Sequence, residues 1–341
     1  MSVCMNQIKV SVSTITYNHA PFIRRMLEGV IMQKTNFKFE ILIHDDASTD
    51  GTADIIREYQ VKFPQIIKPI LQQKNQYSRG IAPSPIFNWP RAQGKYLCLC
   101  EGDDYWTDPF KLQKQKDFLD AHPECSLVFH PVDVHWQDGS HPNDTWGPDS
   151  VKYGSLDQQI WVKNIIPTLS VMYRWRFHKE PLTLFPQDML PGDWFLHMLH
   201  AQVGKIGFLP ETMGVYRKHA GGLWYHPFND EKYFVNNFWK HVNFFIYAER
   251  QFNKDYTSYI AETFGYFVDF YQKNPSSNLG QLLRNQAPQK WDDLMKRLCN
   301  QSGNISMAYL RWKLSSAAKR RVYKKEYFSL KIGKALQNIS L

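Results

Sequence analysis

One alternation restricts this chain more than anything else: in its first 130 residues, short uninterrupted apolar runs take turns with stretches of helical spacing. The runs are KVSVSTIT (9–16), FEILIH (39–44), IIKPILQ (66–72, weakened by Pro69), YLCLC (96–100) and SLVFHPVDVHW (126–136). Between them, 20–33, 52–63 and 109–123 repeat apolar residues every three to four positions, and Pro21 suits a first helical turn. Strands that are apolar throughout are buried on both faces. The pattern therefore predicts an α/β fold, a mostly parallel sheet with helices on both faces. Beyond the Pro-broken segment 82–90, the chain offers polar, Trp-bearing turns over 137–165, expected to pass over a cleft. A strand is expected at 166–174, a helix at about 193–201 with two short strands after it, and aromatic helices beyond 227.

With 341 residues the chain has enough length for a large core, and 43% hydrophobic residues is ordinary for a globular protein. No run approaches 18 apolar residues, and no basic start leads into an apolar stretch, so neither a spanning helix nor a signal peptide is expected. Five cysteines (4, 98, 100, 125 and 299) form no CxxC, which fits a reducing, cytoplasmic setting. The net charge of +9 is concentrated: 306–341 holds nine Lys/Arg against Glu326 alone, leaving +1 for the other 305 residues. Interleaved with Trp312, Tyr323, Tyr327 and Phe328, this stretch is expected to meet an anionic membrane surface peripherally.

In parallel sheets ligands bind beyond the carboxyl ends of the strands. The acidic clusters stand there: Asp45 and Asp46 after the second strand, and Glu101, Asp103 and Asp104 after the fourth. Adjacent carboxylates on such turns are hard oxygen ligands for Mg²⁺ or Mn²⁺, whose remaining positions substrate phosphates complete. The chain has no GxxxxGK[ST], no GxGxxG after its first strand, no HExxH and no Cys/His cluster. A nucleotide diphosphate would thus be held by acids, a metal and loops.

The stretches VSVSTITYNHAPFIRRMLEGVIMQ, EILIHDDASTDGT, RAQGKYLCLCEGDDYWTDPFKLQKQ, GDWFLH and GVYRKHAGG fall in this order over residues 8 to 225. Together they resemble the ordered motifs of the inverting family 2 glycosyltransferases of bacterial polysaccharide synthesis, which have the GT-A fold. The resemblance implies a catalytic domain over 1–226, with a nucleotide-sugar half (1–130) and an acceptor half (131–226). A helical region, 227–341, would follow. It implies a nucleotide-diphosphate-sugar donor, a glycan or lipid-linked saccharide acceptor, and a hexosyl transfer assisted by Mn²⁺ or Mg²⁺. By the same resemblance Thr16 and Tyr17 line the nucleotide pocket, and Asp45 or Asp46, the latter preferred, accepts the base N–H. Glu101-Gly102-Asp103-Asp104 stands at the DxD position: Asp103 meets ribose or metal, Asp104 ligates the metal, and Glu101 replaces the more usual Asp. Arg79 adds a cation for the phosphates. Asp193 matches the general base, with Gly192 where the family often has Glu. Arg217 and His219 would close over the diphosphate, or His219 would be a further metal ligand. Trp106, Trp194 and Trp224 flank these motifs, for sugar stacking or for core packing.

Two other readings fit parts of the chain. A sugar-phosphate nucleotidylyltransferase shares the architecture, but STITYNHAPFIRR lacks a Gly-rich phosphate loop. A non-catalytic binder of membranes or polyanions would use the basic stretch, yet the acids at 45, 46, 101, 103 and 104 repel phosphate without a metal. No nucleic-acid partner is expected.

Overall fold

The computed structural model describes residues 7–147, 156–161, 163–178, 185–225, 231–257, 259–260 and 279–299. The basic stretch 306–341 lies outside them. The chain forms two compact units, one of residues 1–187 and 193–225, the other of 188–192 and 226–341.

The first unit opens with the expected alternation: β1 (Ile8–Thr16), α1 (Ala20–Ile31), β2 (Lys38–Asp45), α2 (Thr52–Lys62), β3 (Ile67–Leu71) and β4 (Tyr96–Leu99). After these come β5 (Tyr105–Trp106), α3 (Lys111–Ala121), β6 (Cys125–Phe129), β7 (Val132–Trp136), β8 (Asp144–Trp146), α4 (Leu156–Gln159) and β9 (Met172–Arg174). The unit closes with α5 (Gly192–Ala201), β10 (Lys205–Phe208) and β11 (Gly214–Lys218). Seven strands form one sheet in the order β10-β6-β9-β4-β1-β2-β3. All its pairings are parallel except those of β9, which runs antiparallel between β4 and β6. Pro69 sits on β3, the edge strand, where a missing N–H costs no ladder bond.

The structure corrects two strand expectations. Residues 126–136 are two strands in two sheets: β6 stays in the large sheet, whereas β7 joins a four-stranded sheet ordered β5-β11-β7-β8. The break falls at His130-Pro131, because proline offers no N–H to the ladder. Residues 166–174 likewise begin as a 3₁₀ turn (Thr168–Ser170), and strand pairing starts only at Met172.

The core lies where α1 covers β1 and β2. Val10, Val12, Ile41 and Ile43 meet Ile23, Met26, Leu27 and Val30, all without solvent exposure. Burying each such side chain contributes about 1.5–3 kcal/mol. Gly29 lets α1 lie directly on β5, since a Cβ there would stand 2.8 Å from the Trp106 carbonyl oxygen.

The second unit is helical over its described residues: α6 (Glu231–Phe252), α7 (Leu279–Gln286) and α8 (Pro288–Cys299). Within it Asp188 accepts hydrogen bonds from Asn243 (2.9 Å) and the Tyr247 hydroxyl (2.7 Å). Among the described residues no helix is long and apolar enough to cross a membrane.

Candidate active site

Strands β1, β2 and β4 end side by side, with Thr16 paired to Asp45 and Ser13 to Leu99. Beyond β4 the chain keeps following β1: the Gly102 N–H donates to the Ile15 carbonyl at 2.9 Å. This carries Glu101-Gly102-Asp103-Asp104 past Thr16. Only glycine fits at 102, because a Cβ would stand 2.5 Å from Thr16 Oγ1 and 2.9 Å from His19 Nδ1. The small residue is what brings the acidic turn against the end of β1.

The loop DDASTDGT is sewn to the turn between β1 and α1. Asp50 accepts from the Ala20 N–H (2.9 Å) and from Thr52, whose hydroxyl oxygen accepts the His19 N–H (2.9 Å). Asn18 Oδ1 accepts the Thr49 N–H at 2.8 Å. The Asp50 and Thr52 oxygens satisfy amides at the start of α1 that no helical carbonyl reaches. His19 is thereby held at the helix start. Asp45 turns to Ser48, accepting from its N–H and hydroxyl, while Asp46 accepts the N–H groups of Gln76 (2.7 Å) and Tyr77 (3.0 Å). Both carboxylates therefore order loops beside the nucleotide position assigned from sequence. Tyr17 is 47% exposed there, and Arg79 is exposed with its guanidinium on Gln76 Oε1.

At the centre Asp104 is fully buried. Its Oδ1 accepts the Arg217 backbone N–H at 2.9 Å, and its Oδ2 has no hydrogen-bond partner. Burial, with Asp103 and Glu101 beside it, pushes the Asp104 carboxyl well above the carboxylate range. Glu101 is pushed up to about 8 by burial, by Asp103 and by Asp193. Asp103 goes the other way: burial opposes ionisation, but the hydrogen bond from His219 and the nearby His19 outweigh it and lower the carboxyl. Its Oδ2 lies 3.0 Å from His219 Nε2 and 3.7 Å from His19 Nε2. Arg217 is buried, with its guanidinium donating to the Asp103 carbonyl (2.8 Å) and lying 4.4 Å from the Tyr105 ring centre. It supports the acidic turn from behind.

Asp193 stands in the first turn of α5. Its Oδ2 accepts from the Thr168 hydroxyl (2.7 Å) and Asn164 (3.4 Å), and its Oδ1 from the Trp194 N–H (2.7 Å). Trp106 and Trp194 are core residues whose indole N–H groups donate to the Leu169 and Ile160 carbonyls, which removes them as sugar platforms. Trp224 is half-buried, its carbonyl accepting from Lys218. Sequence reasoning missed His19 and Thr168. His19 directly follows the Asn18 turn at the end of β1, a position that in itself signals proximity to the acidic strand ends.

The residues present fit a divalent cation. Ligand atoms of Glu101, Asp103 and Asp104, and separately of His19, Asp103 and His219, lie within 4.8 Å of one another. Thr16 Oγ1, His19 Nδ1, Asp103 Oδ1 and Asp104 Oδ2 are buried polar atoms without hydrogen-bond partners, all around this point. Orphaned groups of this kind are costly unless a ligand satisfies them.

Residues 11–179 match the sequence model of the family described as glycosyl transferase family 2. An uncharacterized protein of Mycobacterium tuberculosis is 43% identical over 225 residues, 66% of this chain and 63% of that protein, so the match spans less than two thirds of the relative. An Escherichia coli protein named UDP-Glc:alpha-D-GlcNAc-diphosphoundecaprenol beta-1,3-glucosyltransferase is 34% identical over 112 residues, 33% of this chain and 41% of that one. Among solved structures, S. aureus TarS 1-349 in complex with UDP superposes with a TM-score of 0.53 at 18% identity, covering 94% of this chain and 92% of that one. The mannosyltransferase PcManGT of Pyrobaculum calidifontis, in complex with GDP-Man and Mn²⁺, gives 0.51 at 18%, covering 98% and 87%. These likenesses show a shared GT-A fold.

Proposed function

The chain belongs to glycosyl transferase family 2, and from that premise we propose that it moves a sugar from a nucleotide-diphosphate donor to a hydroxyl of a glycan or lipid-linked saccharide. The observation that carries this is the Glu101-Asp103-Asp104 turn beside the end of β1, in which Asp104 is fully buried and its Oδ2 has no hydrogen-bond partner. A nucleoside diphosphate bound there needs a divalent cation, Mn²⁺ or Mg²⁺, held by Asp103, Asp104 and His219. When bound, the cation offsets the charge that develops on the leaving diphosphate.

The chain's own residues supply the rest. Thr16, Tyr17 and one of Asp45 and Asp46 surround the base and ribose, and Arg79 stands on the loop that Asp46 orders. Asp193, held by Thr168, takes the proton of the acceptor hydroxyl as that oxygen attacks the anomeric carbon. The bond to the diphosphate breaks on the opposite face, and the anomeric centre inverts. Glu101 would supply an acidic group in place of the one that Gly192 lacks in sequence; burial first, then Asp103 and Asp193, push its carboxyl up. Residues 1–226 would form the catalytic domain. The relative from Escherichia coli, named for a diphosphoundecaprenol-linked substrate, supports a lipid-linked acceptor. The basic stretch 306–341 would then bring the enzyme to an anionic leaflet. Loss of liposome pelleting on truncation near residue 300 is the expected result, and unchanged pelleting refutes it.

The test of the main reading is a thermal-shift series of the full chain against UDP, GDP and their sugars, with and without Mn²⁺. Cation-dependent stabilisation by one nucleotide is expected, about 2.7 kcal/mol at a hundredfold excess over Kd, and its loss in Asp104→Asn. Asp193→Asn should keep that stabilisation and lose turnover. No stabilisation by any nucleotide refutes the proposal.

A further inference from the structure

Two imidazoles reach one carboxylate of the acidic turn. His19 comes from the start of α1 and His219 from just past β11, and their Nε2 atoms lie 3.7 and 3.0 Å from one oxygen of Asp103. In an octahedral site with bonds of about 2.1–2.2 Å, neighbouring ligand atoms stand about 3 Å apart, close to these separations. The ring centres of the two histidines are 5.9 Å apart and nearly perpendicular, so their edges converge without stacking. In the adjoining Glu101-Asp103-Asp104 group, which shares Asp103, the fully buried Asp104 leaves its Oδ2 without a hydrogen-bond partner, an independent sign that a ligand belongs at this turn.

His19 is built to stay in place. Its N–H donates to Thr52 Oγ1, its carbonyl accepts from Phe22 and Ile23, and its ring meets the Phe22 ring edge-on. Its Nδ1 lies against Gly102, where no side chain intrudes, and has no hydrogen-bond partner. From this fixed backbone position the ring presents its Nε2 to the Asp103 carboxylate, an arrangement that goes beyond capping a helix.

We propose that His19 is a ligand of the cation that serves the donor diphosphate, and that together with His219 it makes the site selective for Mn²⁺ and similar transition ions over Mg²⁺. This rests on the nucleotide-sugar reading above. The physical ground is ligand preference: imidazole nitrogen favours first-row transition ions, whereas Mg²⁺ demands oxygen and sheds water reluctantly. An oxygen-only Asp-Asp site would not discriminate in this way.

The experiment is Mn²⁺ binding to the full chain in the presence of UDP or GDP, followed by depletion of the free-ion paramagnetic resonance signal. Pulsed measurement of ¹⁴N couplings to the bound ion and competition by Mg²⁺ complete it. Wild type should show two nitrogen couplings and need at least about tenfold more Mg²⁺ than Mn²⁺ to compete. His19→Ala, checked for an unchanged melting profile without metal, should show one nitrogen coupling and a preference reduced about tenfold. His19→Gln, which keeps a polar side chain but no imidazole, should behave like His19→Ala. Two nitrogen couplings in His19→Ala, or equal competition by Mg²⁺ in wild type, overturns the inference. In that case the nucleotide reading still stands if Asp104→Asn abolishes Mn²⁺ binding. Failure of wild type to bind Mn²⁺ with any nucleoside diphosphate overturns both.

Discussion

Lowering the pH from 7.5 to 5.5 should loosen the helix that carries Asp193, and His197 sets how much. His197 lies one turn after Asp193 on α5, fully buried, with its Nδ1 accepting from the Tyr173 hydroxyl at 2.6 Å. Burial pushes its pKa down from 6.5 to about 4. The folded chain therefore binds fewer protons than the unfolded chain between these two values, so stability is present above 6.5 and is lost as pH falls. For one histidine displaced in this direction the loss between pH 7.5 and 5.5 is on the order of 1 kcal/mol. His130 and His200, also fully buried and pushed down, add to the same trend. Urea titrations read by tryptophan fluorescence at the two pH values provide the measurement. At an m-value of about 2 kcal/mol/M, the His197 share is a midpoint shift on the order of 0.5 M. His197→Gln keeps an acceptor for Tyr173 but does not titrate, so its pH-dependent loss should be smaller than wild type by on the order of 1 kcal/mol. Losses agreeing within about 0.3 kcal/mol would refute the reasoning.

Three further outcomes follow from the geometry of the site. Gly102→Ala places a methyl group against Thr16 and His19; it should cost about 1–3 kcal/mol in chemical denaturation and abolish the nucleotide-dependent thermal shift. Thr168→Ala removes a hydroxyl donor from Asp193, so turnover in a donor-saturated sugar-transfer assay should fall while donor affinity, read by calorimetry, stays within twofold or so. Asp50→Ala uncaps α1 across the chain; a loss of about 0.5–2 kcal/mol by thermal unfolding and weaker Mn²⁺ binding in calorimetry are expected together.

The parts legible in the sequence were those whose physics is local. The runs at β1, β2 and β4 stand out in sequence because they are buried over most of their length, with both faces covered. The acidic strand ends stood out because like charges gather there without nearby cations in sequence. Their partners Arg217 and His219 are supplied from more than a hundred residues away, and pattern alone does not show which atoms meet. The β6/β7 break was hidden because SLVFHPVDVHW stays apolar through Pro131, and only tertiary pairing reveals that its halves belong to different sheets. His19 was overlooked because a single histidine after a strand carries no periodic signal. Its significance comes from Gly102 and Asp103 being folded against it.

Within the large sheet, β9 is the sole described strand joining β4 to β6, and it has three residues. Thr168, which grips Asp193, lies just ahead of this strand, and Glu101 lies just past its neighbour β4. The spacing between donor-side acids and the proposed base is thus calibrated by the register of one very short strand. A shift of one residue there would slide Thr168 by about 3.3 Å, the rise of a single strand position. A substitution at Met172, Tyr173 or Arg174 that shifts this register would therefore change that spacing without altering any of the acidic residues themselves.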